Sequence, residues 1–357
     1  MSKLPVSVCI IAKNEEKYIE ECLKHLKPFG FEIIVTDTGS TDRTVEIAEK
    51  YADKVLHFQW INDFSAARNF CASHASNNWI LSIDCDEYMN TMDISVLRIL
   101  MQKCPKMAGT IRLKNLCLND DGSVTYNTDD VIRMYNKHYY YFKNPIHEQV
   151  TSRDPEKEKE ILKCFLIPTE VIHHGYALSP EEMAVKQKRN LDLLLQELEK
   201  NPDDSYMNFQ VGQSSLIIND LETAAEHLER GLKNNPGVDR VYVQVMIVSL
   251  AKCYHRMGRT EDALTLLETY EKDCRTAKFM YAYAGVLYEM KQYLKALMMY
   301  LRTVTCADVD TLGESLLLCY EHIVNLYECM GKPEMGEPFK RKIEELRQEK
   351  QRVLIET

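Results

Sequence analysis

The sequence predicts two halves: an α/β domain on a mostly parallel sheet, then an all-α domain of repeated helix pairs. Three observations predict this. Short apolar runs alternate with amphipathic segments up to about residue 175. From about Leu178 onward every segment has helical periodicity. Within that second half, small residues recur in step. The 357 residues give room for two domains of ordinary size, and 45% hydrophobic residues are enough for real cores. The expected bounds are 1–177 for the α/β domain, 178–204 for a linking helix and 205–357 for the repeats.

Taken in order, "VSVCII" (Val6–Ile11) is a continuous apolar run, the mark of a strand covered on both faces. "EEKYIEECLKHLK" places Tyr18, Ile19, Cys22, Leu23 and Leu26 on one helical stripe. "EIIVT" (Glu32–Thr36) is a second buried strand, broken by "DTGS". "TDRTVEIAEKY" opens a helix with a hydroxyl near its N-cap and Asp42 in its first turn. "KVLHF" reads as a third strand, "DFSAARNFCASHA" as a helix and "WILSI" as a fourth strand. This order implies parallel strands joined by right-handed crossovers. Beyond Asp86 the pattern is less regular. "GTIRLKNLCL", "VIRMYN" and "YYYFK" read as strands, with a turn at Asp121-Gly122.

In the second half, Ala224, Ala263, Ala296 and Gly336 recur at intervals near the ~34-residue tetratricopeptide (TPR) period, with short insertions. One helix earlier stand Gly212, Ala251, Ala284 and Val324, small in all but the last. Tyr254 and Tyr327 fall where that repeat expects an aromatic, and Pro236 at its terminal proline. Four TPR-like units are expected. A plain helical bundle would not need the shared phase.

A net charge of −10 argues against a protein that coats nucleic acid, which needs a basic face. A polyanionic ligand must then be held by a metal, an arginine or a helix N-terminus. No apolar run is long enough for a membrane span. "MSKLPVSVCII" enters a strand with no signal-peptide pattern, so a cytoplasmic protein is expected. The 12 cysteines form no CxxC pair. Reduced core residues such as Cys9, Cys22, Cys71, Cys253 and Cys319 are the simpler expectation.

Ligands of open α/β sheets bind beyond the carboxyl ends of the strands. Here strand one ends in "AKNEE", strand two in Asp37 and "TGS", and strand four in Asp84, Asp86 and Glu87. No GxGxxG follows strand one, and no GxxxxGK[ST] exists, which excludes dinucleotide and P-loop sites. Tyr88 stands where a phosphoaspartyl hydrolase has Thr or Val. The set suits a nucleotide-sugar. Two carboxylates at i and i+2 on a strand end point the same way, one toward a ribose and one toward Mg²⁺ or Mn²⁺. The cation would hold a diphosphate that an acidic protein otherwise repels, and stabilise the charge that grows on it.

"SVCIIAKNEE", "EIIVTDTGSTDRTVEIA", "DFSAARNF" and "WILSIDCDE" together resemble the family 2 (GT-A fold) glycosyltransferases, over roughly residues 5–175. The resemblance implies inverting transfer of a hexose from a nucleotide-diphospho-sugar, usually UDP-linked. By it, Ala12, Asn14, Glu15 and Asp37 line the nucleoside site, and Arg68 lies near the nucleotide and diphosphate. Asp84 and Asp86 form the DxD pair, with Asp86 the direct ligand of Mn²⁺ or Mg²⁺. "NPIHEQV" offers Glu148 as the base, because a similar "HE" marks related members. Asp129 and Asp130 are the competing acids. "VIHHGY" offers His173 as a further metal ligand. His174 would face the other way on a strand.

The chain also resembles bacterial peptide and protein glycosyltransferases that carry TPR-like helices. That implies an acceptor hydroxyl or thiol, on a polypeptide held by the repeats. The repeats could instead pair two copies of the chain. Each site residue also has a plainer reading: Asp37 as a turn initiator, Arg68 as a surface helix residue, the acids as a solvated strand tip. The rival for the whole chain is a TPR scaffold with an inactive front domain. A nucleotidyltransferase lacks support, since "AKNEE" replaces the glycine-rich loop it needs. The sequence fixes neither the sugar nor the acceptor.

Overall fold

The computed structural model describes residues 4–118, 124–158, 160–175, 180–234 and 236–356. Its contacts divide the chain into units 1–183 and 184–357. The turn expected at Asp121-Gly122, and Tyr176 of "VIHHGY", lie outside the described residues.

The first unit runs β1 (Val6–Ala12), α1 (Ile19–Leu26), β2 (Glu32–Asp37), α2 (Thr44–Tyr51), β3 (Lys54–His57), α3 (Phe64–Ser73), β4 (Trp79–Ser82), β5 (Glu87–Met92) and α4 (Ile94–Lys103). It continues with β6 (Ala108–Leu118), β7 (Val124–Asn136), β8 (Tyr140–Lys143), β9 (Gln149–Ser152), β10 (Cys164–Leu166) and β11 (Thr169–His173). One sheet has the order β3-β2-β1-β4-β7-β6-β11-β5, with β10 beside β6; β8 and β9 pair separately. β1 is parallel to β2 and β4, and β2 to β3. β7 runs antiparallel to both β4 and β6, and β11 is parallel to β6. The carboxyl ends of β1, β2, β4 and β11 therefore share one edge of the sheet.

β1 shows why its sequence is a continuous apolar run. Successive residues point to opposite faces, and both faces are covered. Val6, Val8 and Ile10 pack with Ile19, Cys22, Leu23 and Leu26 of α1. Cys9 packs on the other side with Cys71 and Ala72 of α3 and with Phe142 and Val150 of the small sheet. The cysteines expected in the core, Cys9, Cys22, Cys71, Cys253 and Cys319, are buried and unbridged.

After α5 (Pro180–Lys200) come four helix pairs: α6 (Ser205–Ile217) with α7 (Leu221–Lys233), α8 (Val241–Arg256) with α9 (Thr260–Tyr270), α10 (Ala277–Glu289) with α11 (Tyr293–Thr303), and α12 (Ser315–Cys329) with α13 (Pro333–Glu356). Asp204 and Asp220 cap α6 and α7 by accepting from the N–H groups of Met207 and Thr223. The recurring small residues are the contact points. Ala224, Ala251, Ala263, Ala284 and Ala296 are buried. A methyl group on Gly212 would come 2.5 Å from Leu228 Cγ, and one on Gly336 would come 3.7 Å from Val324 Cα. No helix among the described residues is long and apolar enough to cross a membrane.

Candidate active site

β4 ends at Ser82, and the chain makes a turn through Asp86 before β5 begins at Glu87. The expected pair of parallel carboxylates on a strand end is therefore replaced by a turn, and the two acids face different partners. The turn closes on itself. Asp84 N–H donates to Glu87 Oε2 at 3.0 Å, and Glu87 N–H donates to the Asp84 carbonyl at 3.1 Å.

Asp84 lies between two arginines. Arg68 Nη2 donates to its Oδ1 and Arg133 Nη2 to its Oδ2, both at 2.7 Å. Arg68, buried on α3, also donates from Nη1 to Ser82 Oγ at 2.7 Å and from Nε to Glu148 Oε1 at 2.5 Å. Arg133 also donates to Glu87 Oε1. The result is a chain of paired charges, Glu87–Arg133–Asp84–Arg68–Glu148, as desolvated charges require. Burial alone would push the Asp84 carboxyl up, but Arg133 and Arg68 hold it well below the usual carboxylate range. Glu87 is fully buried, and burial raises its carboxyl despite Arg133.

Asp86 points elsewhere. Its Oδ2 lies 3.4 Å from Nε2 of His173, the last residue of β11. His173 Nδ1 is 2.8 Å from Asn115 Oδ1 on β6. An amide oxygen only accepts, so Nδ1 carries a proton, and Nε2 faces Asp86, as a donor when the ring is protonated and with its lone pair when it is neutral. Asn115 is oriented in turn, because its Nδ2 donates to Asp129 Oδ2 at 2.8 Å. Burial lowers the His173 pKa, and the Asp86 carboxylate more than offsets this, leaving it above its ordinary value. A proton and a metal ion would compete for Nε2. His174 turns the other way, its ring 4.3 Å from that of Tyr88.

Asp86 and His173 offer one oxygen and one nitrogen donor to a divalent cation. Two ligands on adjacent corners of an octahedron about 2.1 Å from Mg²⁺ stand about 3.0 Å apart, close to the 3.4 Å found. Gly175 leaves the space clear: a methyl group there would stand 2.0 Å from Asp86 Oδ2 and 2.7 Å from His173 Nε2. No third His, Cys, Asp or Glu joins them among the described residues. Substrate phosphates and water would complete the shell, as is usual for Mg²⁺.

The loops after β1 and β2 are knitted together. The Ala12 carbonyl accepts from Thr38 N–H at 2.9 Å and from its hydroxyl at 3.1 Å. Asn14, at φ +56°, accepts from Thr41 N–H at 2.8 Å. Glu15 N–H donates to Thr44 Oγ1 at 2.7 Å. The buried Asp37 carboxylate accepts from the N–H groups of Gly39 and Ser40 at 3.1 and 3.0 Å, and His57 Nδ1 is 3.6 Å away. Glu148 follows a constrained loop. Asn144 and His147 have φ of +79° and +49°, and the Pro145 carbonyl accepts from Phe64 N–H at 2.8 Å. Asp130 faces away from Asn115 and is held by Arg112 at 2.8 and 3.0 Å.

Sequence reasoning missed Arg133 and Asn115. The only signal was a charged or amide residue inside an apolar strand run, in "VIRMYN" and "RLKNLCL".

Residues 7–115 match the family model described as Glycosyl transferase family 2. A TPR repeat-containing protein of Synechococcus elongatus is 30% identical over 266 residues, 72% of this chain and 64% of the relative. The prophage-derived glycosyltransferase SunS of Bacillus subtilis is 28% identical over 244 residues, 65% of this chain and 54% of the relative. The chain thus spans between half and two thirds of the length of these relatives. Among solved structures, MamA overlaps 50% of this chain and 99% of its own at 16% identity, with a TM-score of 0.39, too low to bear on the site. The chain thus carries a glycosyltransferase family 2 domain over residues 7–115, followed by the paired helices of its second unit.

Proposed function

We propose that the protein is an inverting, metal-dependent glycosyltransferase that moves a hexose from a UDP-hexose to an acceptor hydroxyl or thiol. The observation that carries this reading is the pairing of Asp86 with His173 beside Gly175, at the sheet edge where β1 and β2 end.

Asp86 and His173 would hold Mn²⁺ or Mg²⁺, which neutralises charge growing on the departing diphosphate. Asn115 keeps the His173 lone pair aimed at that place. Ala12, Asn14, Glu15 and Asp37 line the nucleoside site. The Asp37 carboxylate complements the imide N–H of uracil, which a cytosine ring lacks. Arg68 has three nitrogens engaged, so it acts by ordering Asp84 and Glu148. Glu148 receives the acceptor proton. Arg68 fixes its Oε1, which leaves Oε2 for the acceptor. Inversion requires attack from the face opposite the leaving group. The acceptor is a polypeptide, a choice supported by the TPR-like helices and by the TPR repeats named in the Synechococcus relative.

UDP-hexose hydrolysis and Mn²⁺-dependent UDP binding test the reading. Asp86→Ala should lower turnover about 100-fold or more. Glu148→Gln should do the same with UDP affinity retained, since general-base catalysis is worth about 100-fold or more. Equal turnover by wild type and Asp86→Ala would overturn the metal assignment. An inactive front domain would give no metal-dependent UDP binding at all.

A further inference from the structure

Arg133 lies on β7, the strand antiparallel to β4, and its side chain is 14% exposed. One nitrogen, Nη2, donates to both Asp84 Oδ2, at 2.7 Å, and Glu87 Oε1. These two residues are the ends of the turn that presents Asp86, and they already bond each other through their own N–H groups. Arg133 Nε is buried without a partner among the described residues. The arginine thus places Nη2 between the two acids that flank Asp86.

We infer that Arg133 is the positioning residue of the metal-binding turn: it clamps Asp84 and Glu87 together and so fixes Asp86 between them. The inference rests on the proposed metal-dependent reading of the site. Through Asp84 the clamp continues to Arg68 and Glu148, so one residue of β7 ties the turn to the base-bearing loop. Among the described residues, Arg133 pairs with Asp84 and Glu87 and with neither Asp86 nor His173. Its effect is on where Asp86 stands.

Calorimetric titration of the full chain with UDP, with and without Mn²⁺, tests this alongside thermal melts. Arg133→Met strands a buried Glu87, so it should lower the melting temperature. It should also weaken Mn²⁺-dependent UDP affinity about 10-fold or more, the usual cost of losing an outer-shell support. Arg133→Met with Glu87→Gln removes the stranded charge. Removing both charges of a buried pair with residues of similar volume avoids the cost of stranding one of them, and the Gln amide oxygen can still accept from Asp84 N–H. This double variant should regain the melting temperature but not the affinity, and its metal-free UDP binding should match wild type. Arg133→Lys keeps the charge but not the fork, and should also bind more weakly in Mn²⁺. Wild-type Mn²⁺-dependent affinity in the double variant, or in Arg133→Lys should the double variant not fold, overturns the inference. Wild-type protein that gains no UDP affinity from Mn²⁺ overturns the reading beneath it, and shows this before any variant is made.

Discussion

Gly175→Ala would place a methyl group where Asp86 and His173 converge. The added carbon would stand 2.0 Å from Asp86 Oδ2, 3.0 Å from Asp86 Cγ and 2.7 Å from His173 Nε2. Such contacts need about 3 Å or more, so the carboxylate must retreat by about 1 Å, a displacement that can cost about 100-fold when it disturbs a reacting geometry. That factor equals about 2.7 kcal/mol. Folding should suffer little, because two of the crowded atoms are side-chain ends that can swing away. Gly175 is also not among the glycines at positive φ. An alanine there restricts the unfolded chain, which offsets part of the crowding by about 0.4–1 kcal/mol. The expected variant melts close to wild type, binds UDP without metal as wild type does, and loses the Mn²⁺-dependent gain. Calorimetry with a parallel melt reads both. A variant that keeps the Mn²⁺-dependent gain would show that Asp86 and His173 do not share a cation. One that fails to fold would show that the backbone, not the carboxylate, yields to the methyl group.

Two further predictions concern stability. Glu32 accepts from the Ser7 hydroxyl at 2.5 Å, Lys54 at 2.9 Å, and the N–H and hydroxyl of Ser76 at 2.9 and 2.7 Å. Burial pushes its carboxyl up, and these partners outweigh it, bringing it to about 2. A depressed carboxyl stabilises the fold above its unfolded pKa of about 4.3 and loses that as pH falls toward 2, by about 3 kcal/mol at most. The stability gap between wild type and Glu32→Gln in urea should therefore narrow between pH 5 and pH 2; a constant gap would refute the assignment. In the repeats, Gly212→Ala would drive a carbon to 2.5 Å from Leu228 Cγ and 2.6 Å from its Cδ2, in a fully buried contact. Overpacking of that kind costs about 1–3 kcal/mol. At Gly285 the nearest atom is Tyr300 OH at 4.0 Å, so Gly285→Ala should be neutral or stabilising by up to about 1 kcal/mol. Equal urea midpoints for the two variants would refute the close-approach reading.

The parts of the fold legible in the sequence were those with one clear period. β1 could be read because both of its faces are buried. The helix pairs could be read because close approach demands small residues at fixed intervals. α4 carries no clear helical period in the sequence, although Asp93 caps it. Leu97 and Met101 are its buried residues, while Val96 and Ile99 are exposed, so its apolar residues trace no single stripe. β7 begins at Val124, well before the "VIRMYN" that signals it, because "TYNTDD" is polar and its pairing with β6 leaves no sequence mark. At the site, the residue types at the strand tips were legible and their directions were not. Reading Asp84 and Asp86 as parallel assumed that the strand continued past Ser82. The partners that aim them, Arg133 and His173, lie far along the chain, and only the sheet order brings them to the same edge.

Asp129 and Glu148, two of the three candidate bases, can be separated by experiment. On β7 it accepts from Asn115 Nδ2, and Asn115 Oδ1 accepts in turn from His173 Nδ1–H. Asp129 thus determines which end of the Asn115 amide faces the histidine, and through it which imidazole nitrogen faces Asp86. Asp129→Asn weakens that orientation, since an amide partner can accept or donate. Supports at this remove from a metal are worth about 10-fold in its affinity. Mn²⁺-dependent UDP affinity should fall by about that factor, and turnover at saturating metal should return close to wild type. Asp130→Asn, which breaks only an exposed pair with Arg112, should change neither by a measurable amount. A catalytic base would behave in the opposite way. Asp129→Asn would then keep its metal affinity and lose turnover by about 100-fold or more, whatever the Mn²⁺ concentration. That result would move the proton-accepting role from Glu148 to Asp129, while leaving Asp86 and His173 as the cation's ligands.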